Sequence, residues 1–166
     1  ANPWKVEIDA DTIHSSFVAW GDVLNLGELC LRHGIPADTP VSCSMTRTIV
    51  SPADRIARFK IGFEAPARSN RQSDGIASGG NWPNYGHIEV NGVDVAPPVW
   101  KEPDTYRYHY ATWARLEEEL PYTDEQLYWM RRPLEIPLKA GENTVKMTLR
   151  RHFPGQVFQA SFIECE

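Results

Sequence analysis

The chain has 166 residues, a length that fits one domain with a real core. Its formal net charge is −5, and its Lys and Arg residues are scattered along the sequence. This distribution argues against a nucleic-acid groove, which requires a basic face. No apolar stretch approaches the roughly 18 residues that a membrane span needs, so none is predicted. The 13 prolines, 11 glycines and six each of Trp, Tyr and Phe favour an all-β, loop-rich domain.

The first part of the chain predicts three strands. Trp4–Ala10 alternates apolar and polar residues and reads as the first strand. Residues 14–40 are punctuated by glycine and proline, and they predict loops around a short element near Val23–Leu31, for which a helix is one alternative. Val41–Val50 predicts a second strand, and Arg55–Phe63 predicts a third strand that is buried on one face.

The middle of the chain predicts a hairpin between two long loops. Residues 87–95 alternate on both sides of Asn91-Gly92, a pair that suits the two φ > 0 positions of a type I′ turn. Pro97-Pro98 ends the second strand, because proline donates no ladder hydrogen bond. The polar residues 65–81 before the hairpin and the aromatic-rich residues 99–132 after it are predicted to be loop insertions.

The last part of the chain predicts a second hairpin and a closing strand. Residues 134–138 alternate, Ala140–Asn143 turns the chain, and residues 145–149 alternate again. Residues 157–164 predict the closing strand. Seven or eight strands spaced by turn signals indicate a β-sandwich of jelly-roll type with two long loop insertions, in one domain that covers residues 1–166.

Three stretches of the sequence resemble a known class of modules. They are W-x-x-Y-G-x-I-x-V-N-G-x-x-x-x-P-P-x-W, P-L-x-I-P-L-K-A-G-E-N-T-V-K-M-x-L and F-P-G-Q-x-F-x-A-S-F-I. Over residues 41–166 this pattern resembles the galactose-binding-like jelly-roll accessory modules of Bacteroidetes-type glycan-degrading enzymes. Family 20 β-hexosaminidases and sialate O-acetylesterases carry modules of this kind.

The resemblance implies a non-catalytic module that binds carbohydrate, or a structural brace packed on a catalytic domain of the same polypeptide. It also implies export to the periplasm, the cell surface or the extracellular space. The opening Ala1-Asn2-Pro3 is typical of a domain boundary within a larger protein. Many such modules hold a structural calcium ion. No acidic loop motif in this sequence firmly matches a calcium site, so the question of calcium binding stays open. No other cofactor is expected.

A sugar-binding site needs a flat apolar face for the ring and planar polar groups for its hydroxyls, so aromatic residues beside Arg, Asn or His are its signature. Both loop insertions contain this combination, and an arginine fork would also match a sialic acid carboxylate. The alternatives are that the tryptophans pack in the core, that the first loop is a solvated linker and that the second loop packs its aromatics on the sandwich. The predicted ligand-binding residues are Trp82, Trp100, Arg68, Arg71, Asn70, Asn81, Arg107, His109 and Trp113.

Catalytic signatures are missing from the sequence, so the isolated domain is not expected to be an enzyme. No G-x-S-x-G motif occurs, and Glu117–Glu119 form one charged run that is typical of a solvated face. No two of the five histidines are spaced at i, i+2 or i, i+4, and the three cysteines lack C-x-x-C spacing. No metal centre, zinc site or disulfide framework is predicted; a Cys43–Cys165 pairing stays open.

Overall fold

The structure, a computed structural model, describes residues 2–63, 82–97, 133–152, 154 and 158–165. Strands dominate this part of the chain and form two antiparallel sheets, which confirms the predicted all-β sandwich. One short helix, α1, spans Leu26–Arg32 and overlaps the Val23–Leu31 element for which a helix was one of the alternatives. The strands are β1 Trp4–Ala10, β2 Ile13–Ala19, β3 Val23–Asn25, β4 Val41–Ser51, β5 Arg55–Gly62, β6 His87–Val90, β7 Val93–Asp94, β8 Leu134–Leu138, β9 Gly141–Arg151 and β10 Gln159–Cys165.

The larger sheet has the strand order β2-β1-β4-β9-β6-β7, and the smaller has the order β3-β10-β5-β8. β4 and β9 lie at the centre of the larger sheet and pair along their whole length, from Val41 opposite Arg151 to Ser51 opposite Gly141. These two strands therefore form the rigid middle of the larger sheet. Among the helices of the described residues, none combines the length and the apolar character needed to cross a bilayer.

The core lies between the two sheets. β1 alternates buried and exposed residues along its length, as expected for a strand with one covered face. Trp4 of the larger sheet meets Phe162 of the smaller sheet edge to face, with ring centroids 6.1 Å apart, and Phe59 stacks on the same phenylalanine at 4.4 Å. The outward residues of most strands consequently face solvent, whereas Ser161 on β10 is buried.

The predicted second hairpin is wrong. β8 pairs with β5 in the smaller sheet, whereas β9 pairs with β4 and β6 in the larger one, so the chain crosses between the sheets at the turn. The turn itself is present, and Gly141 takes a φ of +93°. The buried Asn143 side chain fixes it by accepting a hydrogen bond from the Lys139 amide and donating one to the Lys139 carbonyl.

A strand that the sequence did not predict is β2, which lies in the region assigned to loops. It pairs with β1 from Trp4 opposite Ala19 to Ala10 opposite Ile13. β2 is an edge strand in which only Ala19 of the inward positions is buried, whereas Ile13, Ser15 and Phe17 are half-buried. Its alternation is therefore too weak to separate it from a loop.

Two of the stretches that carry the family resemblance meet in the structure. Asn91 and Gly92 have φ values of +52° and +78°, which confirms the predicted turn type. The Asn91 side-chain amide donates to Asn143 Oδ1 at 2.8 Å, and its carbonyl oxygen accepts from the Thr144 amide at 2.9 Å. The V-N-G hairpin and the G-E-N-T turn therefore hold each other in place.

Candidate functional site

A recess of about 1090 Å³ lies on the outward face of the larger sheet. Side chains that point away from the core on β1, β4 and β9 form its floor, and residues next to and within β6 and β7 form its wall. This volume lies just above the range of roughly 300–1,000 Å³ that is typical of small-molecule sites. The polar residues that line it are Glu7, Asp9, Ser42, Ser44, Asn84, Tyr85, His87, Asp94, Thr148 and Arg150.

Strand pairing arranges the floor of the recess in rows. In one row Glu7 lies opposite Ser44 and Ser44 lies opposite Thr148, which in turn faces His87. Paired residues of neighbouring strands project from the same face of a sheet, so their side chains are neighbours. A second row joins Asp9, Ser42 and Arg150. The floor therefore offers hydroxyl, carboxylate, imidazole and guanidinium groups on a rigid base.

One exposed aromatic ring, that of Tyr85, lies at the edge of this floor. The residue is 69% exposed, and its ring contacts His152 with centroids 4.4 Å apart. It follows Asn84, and both residues have left-handed φ values, +57° and +55°. The Asn84 side chain holds the turn by donating a 2.6 Å hydrogen bond to the Phe63 carbonyl. The turn thus presents a flat apolar surface beside polar groups.

Trp82 occupies a different environment from the one predicted for a sugar platform. The side chain is only 6% exposed, its indole Nε1 donates to the Val95 carbonyl at 2.9 Å, and its ring packs edge to face against Phe63 at 5.2 Å. Both faces of the indole are therefore covered. Trp82 therefore packs in the core, as in the alternative for the tryptophans, although it also contributes to the lining of the recess. A role for Trp82 in ligand binding stays a prediction.

The other predicted ligand-binding residues lie outside the described part of the chain. Their roles stay predictions, and no contact with the recess is assigned to them. They are Trp100, Arg68, Arg71, Asn70, Asn81, Arg107, His109 and Trp113.

Sequence reasoning missed Tyr85 and the polar floor. Tyr85 lies within a Pro-Asn-Tyr-Gly stretch, which is a turn signal and could have indicated an exposed ring. The period-two spacing of Glu7 and Asp9, or of Thr148 and Arg150, marks an outward strand face. The sequence does not say which strands are neighbours, so these pairs could not be combined into one surface.

Buried thiols contribute no nucleophile to the recess. Burial raises the pKa of the Cys43 and Cys30 thiols above the ordinary value, so both are protonated at neutral pH. Cys165 is half-buried, and all three cysteines are free, so the Cys43–Cys165 pairing is not formed in this structure. The two buried cysteines are core residues.

An exposed ion pair sits at the margin of the recess, where His14 of β2 lies opposite Asp9 of β1. The hydrogen bond with Asp9, aided by the carboxylate charge, raises the pKa of His14 above the ordinary imidazole value. The pair therefore stabilises the fold below the ordinary imidazole pKa, and this contribution is lost as the pH rises through the raised value.

We expect Asp9→Asn to lower the pKa of His14 towards the ordinary imidazole value, because both favourable interactions with the carboxylate disappear. An NMR titration of the His14 ring protons measures this change directly. Asp11→Asn, in the adjoining turn, is the control and should leave the titration curve unchanged. An unaltered curve in Asp9→Asn would show that the pair does not persist in solution.

Comparison with known proteins gives no family assignment. No protein-family model matches the chain. No curated protein matches it either. The likeness to galactose-binding-like modules therefore stays a prediction.

Proposed function

We propose that this domain is a non-catalytic carbohydrate-binding accessory module of an exported glycan-degrading enzyme, acting in the periplasm or at the cell surface. The observation that carries the proposal is the pairing of an exposed aromatic ring, Tyr85, with the polar floor of the recess. One sugar unit would lie on the floor with its C–H face against the ring.

The chemistry of the recess suits a hydroxyl-rich ligand. Ser44 and Thr148 hydroxyls both donate and accept hydrogen bonds, and the Glu7 carboxylate accepts them. These groups stand on paired strands, so the ligand would be recognised without a large rearrangement of the protein. A site of this kind is weak by itself, and attachment to a catalytic domain raises the effective concentration at the glycan.

A second candidate is a structural brace that packs on the catalytic domain of the same polypeptide. The observation in its favour is Trp20, which is 69% exposed near the end of β2, beside the 57% exposed Val18. Neither residue lines the recess. Tryptophan is enriched in the buried centres of protein interfaces, so this patch is the surface on which a neighbouring domain would pack.

We expect Tyr85→Ala to weaken sugar binding by roughly tenfold, or about 1.4 kcal/mol, because the stacking face is lost. Calorimetric titration with N-acetylglucosamine, galactose and sialic acid measures the affinity. Trp20→Ala is the matched control, since it removes an exposed aromatic ring outside the recess and should leave the affinity unchanged.

The alternative outcome also identifies a function. If no sugar in the panel binds saturably to the cooperatively folded domain, the carbohydrate proposal fails. Weaker association of Trp20→Ala with the catalytic domain of the same polypeptide, without a change in fold, would then support the brace.

A further inference from the structure

We propose that His87, Glu89 and Asp94 form a binding site for a divalent metal ion of the zinc class at the wall of the recess. The three residues lie on the hairpin of β6 and β7. A metal-binding atom of each lies within 4.8 Å of those of the other two. The site does not depend on sugar binding, so the two proposals stand or fall separately.

The hairpin register brings the three donors together. Glu89 of β6 lies directly opposite Asp94 of β7, and His87 precedes Glu89 by two residues on the same face. His87 Nε2 already lies 2.9 Å from Asp94 Oδ1, which is hydrogen-bond distance. Donors about 2 Å from a shared zinc ion are roughly 3–4 Å apart, so small side-chain movements would complete the coordination.

The mixed donor set selects the class of metal. An imidazole nitrogen suits zinc and its transition-metal neighbours, whereas calcium and magnesium prefer oxygen donors alone. Lys146 of β9 lies opposite Glu89 in the ladder and competes for this carboxylate. A doubly charged ion that engages Glu89, Asp94 and His87 together has the stronger attraction, because the single ammonium group is exposed to solvent.

The backbone under the site is held firmly. The hairpin turns through Asn91-Gly92, the Asn91 amide donates to the Thr144 carbonyl at 2.8 Å, and the Val95 amide donates to the Ile88 carbonyl at 2.9 Å. Three protein ligands leave at least one coordination position open. His87 and Asp94 both line the recess, so this position faces the space in which the proposed sugar would lie.

The test is a calorimetric titration of the domain with Zn²⁺ alone, combined with thermal unfolding in its presence. We expect saturable binding with one ion per hairpin site and a rise in the unfolding temperature. His87→Gln and Asp94→Asn should each lower the affinity at least about tenfold, because each removes one of three ligands. Ca²⁺ should produce no comparable shift.

The matched control is His14→Gln, which removes an imidazole from the other exposed His–Asp pair of the same sheet, where His14 faces Asp9. It should leave zinc affinity unchanged. The proposal is overturned if the protein does not bind Zn²⁺, if His87→Gln and Asp94→Asn bind it as tightly as the unaltered chain, or if His14→Gln causes an equal loss. Circular dichroism of each variant establishes that the fold is retained, since all three positions are on the surface.

Discussion

Replacing Asn143 by alanine should lower the free energy of unfolding by roughly 3 kcal/mol or more. Each buried hydrogen bond that is lost costs about 1 kcal/mol, and the partners left without a hydrogen bond add a further cost. Asn143 is fully buried. Its oxygen accepts from the Lys139 amide and from Asn91 Nδ2, and its amide donates to the Ile49, Lys139 and Gly141 carbonyls.

Urea unfolding of Asn143→Ala measures this loss, and Asn25→Ala is the control. Asn25 caps α1 through a single exposed hydrogen bond to the Glu28 amide, so its replacement should cost only about 1 kcal/mol. A double-mutant cycle with Asn91→Ala should show coupling, since the two asparagines are hydrogen-bonded. Equal losses at positions 143 and 25 would contradict the central role of Asn143.

Gly86→Ala is the second substitution with a large expected effect. It should lower the free energy of unfolding by about 3 kcal/mol, which is the upper end of typical overpacking penalties. An added Cβ would lie 2.6–2.7 Å from three atoms of the Phe63 ring. Phe63 is fully buried, so the ring has no space into which to move. The backbone must therefore shift, and Tyr85 is expected to shift with it.

Chemical denaturation measures the stability of Gly86→Ala, and sugar titration measures the effect on the recess. Gly92→Ala is the control, because its added Cβ meets no atom within 4 Å and the only penalty comes from a φ of +78°. That penalty is about 1–2 kcal/mol. If Gly86→Ala were no more harmful than Gly92→Ala, the close contact with Phe63 would not constrain the turn.

Much of the fold could be predicted because apolar alternation is a local property. β1, β4 and β5 each bury one face strongly, and the Asn91-Gly92 pair requires its turn type. The pairing of β8 could not be predicted, since a turn such as Ala140–Asn143 joins strands of one sheet or of two with the same residues. In this structure the turn joins β8 of the smaller sheet to β9 of the larger one, and their partners β5 and β4 are distant in sequence.

The candidate site was harder to predict, because it is a property of neighbouring strands and not of one segment. Residues such as Glu7, Ser44 and Thr148 are ordinary outward-facing positions in the sequence, and only the strand order makes them adjacent. Aromatic content was a poor guide as well. Trp82 is hidden and Tyr85 is open, although only two residues separate them, since the Asn84 turn lies between.

Phe63 and Trp82 mark the two ends of residues 64–81, and their rings lie only 5.2 Å apart. The chain therefore returns to the place from which it departed. The entropy lost on bringing two points of a chain together grows with the logarithm of the number of residues between them, by only about 0.6 kcal/mol for each doubling. The stability of the sandwich accordingly depends only weakly on the number of residues that separate the two rings. Evolution or engineering can therefore change the number of residues between the two rings at little cost in the stability of the sandwich.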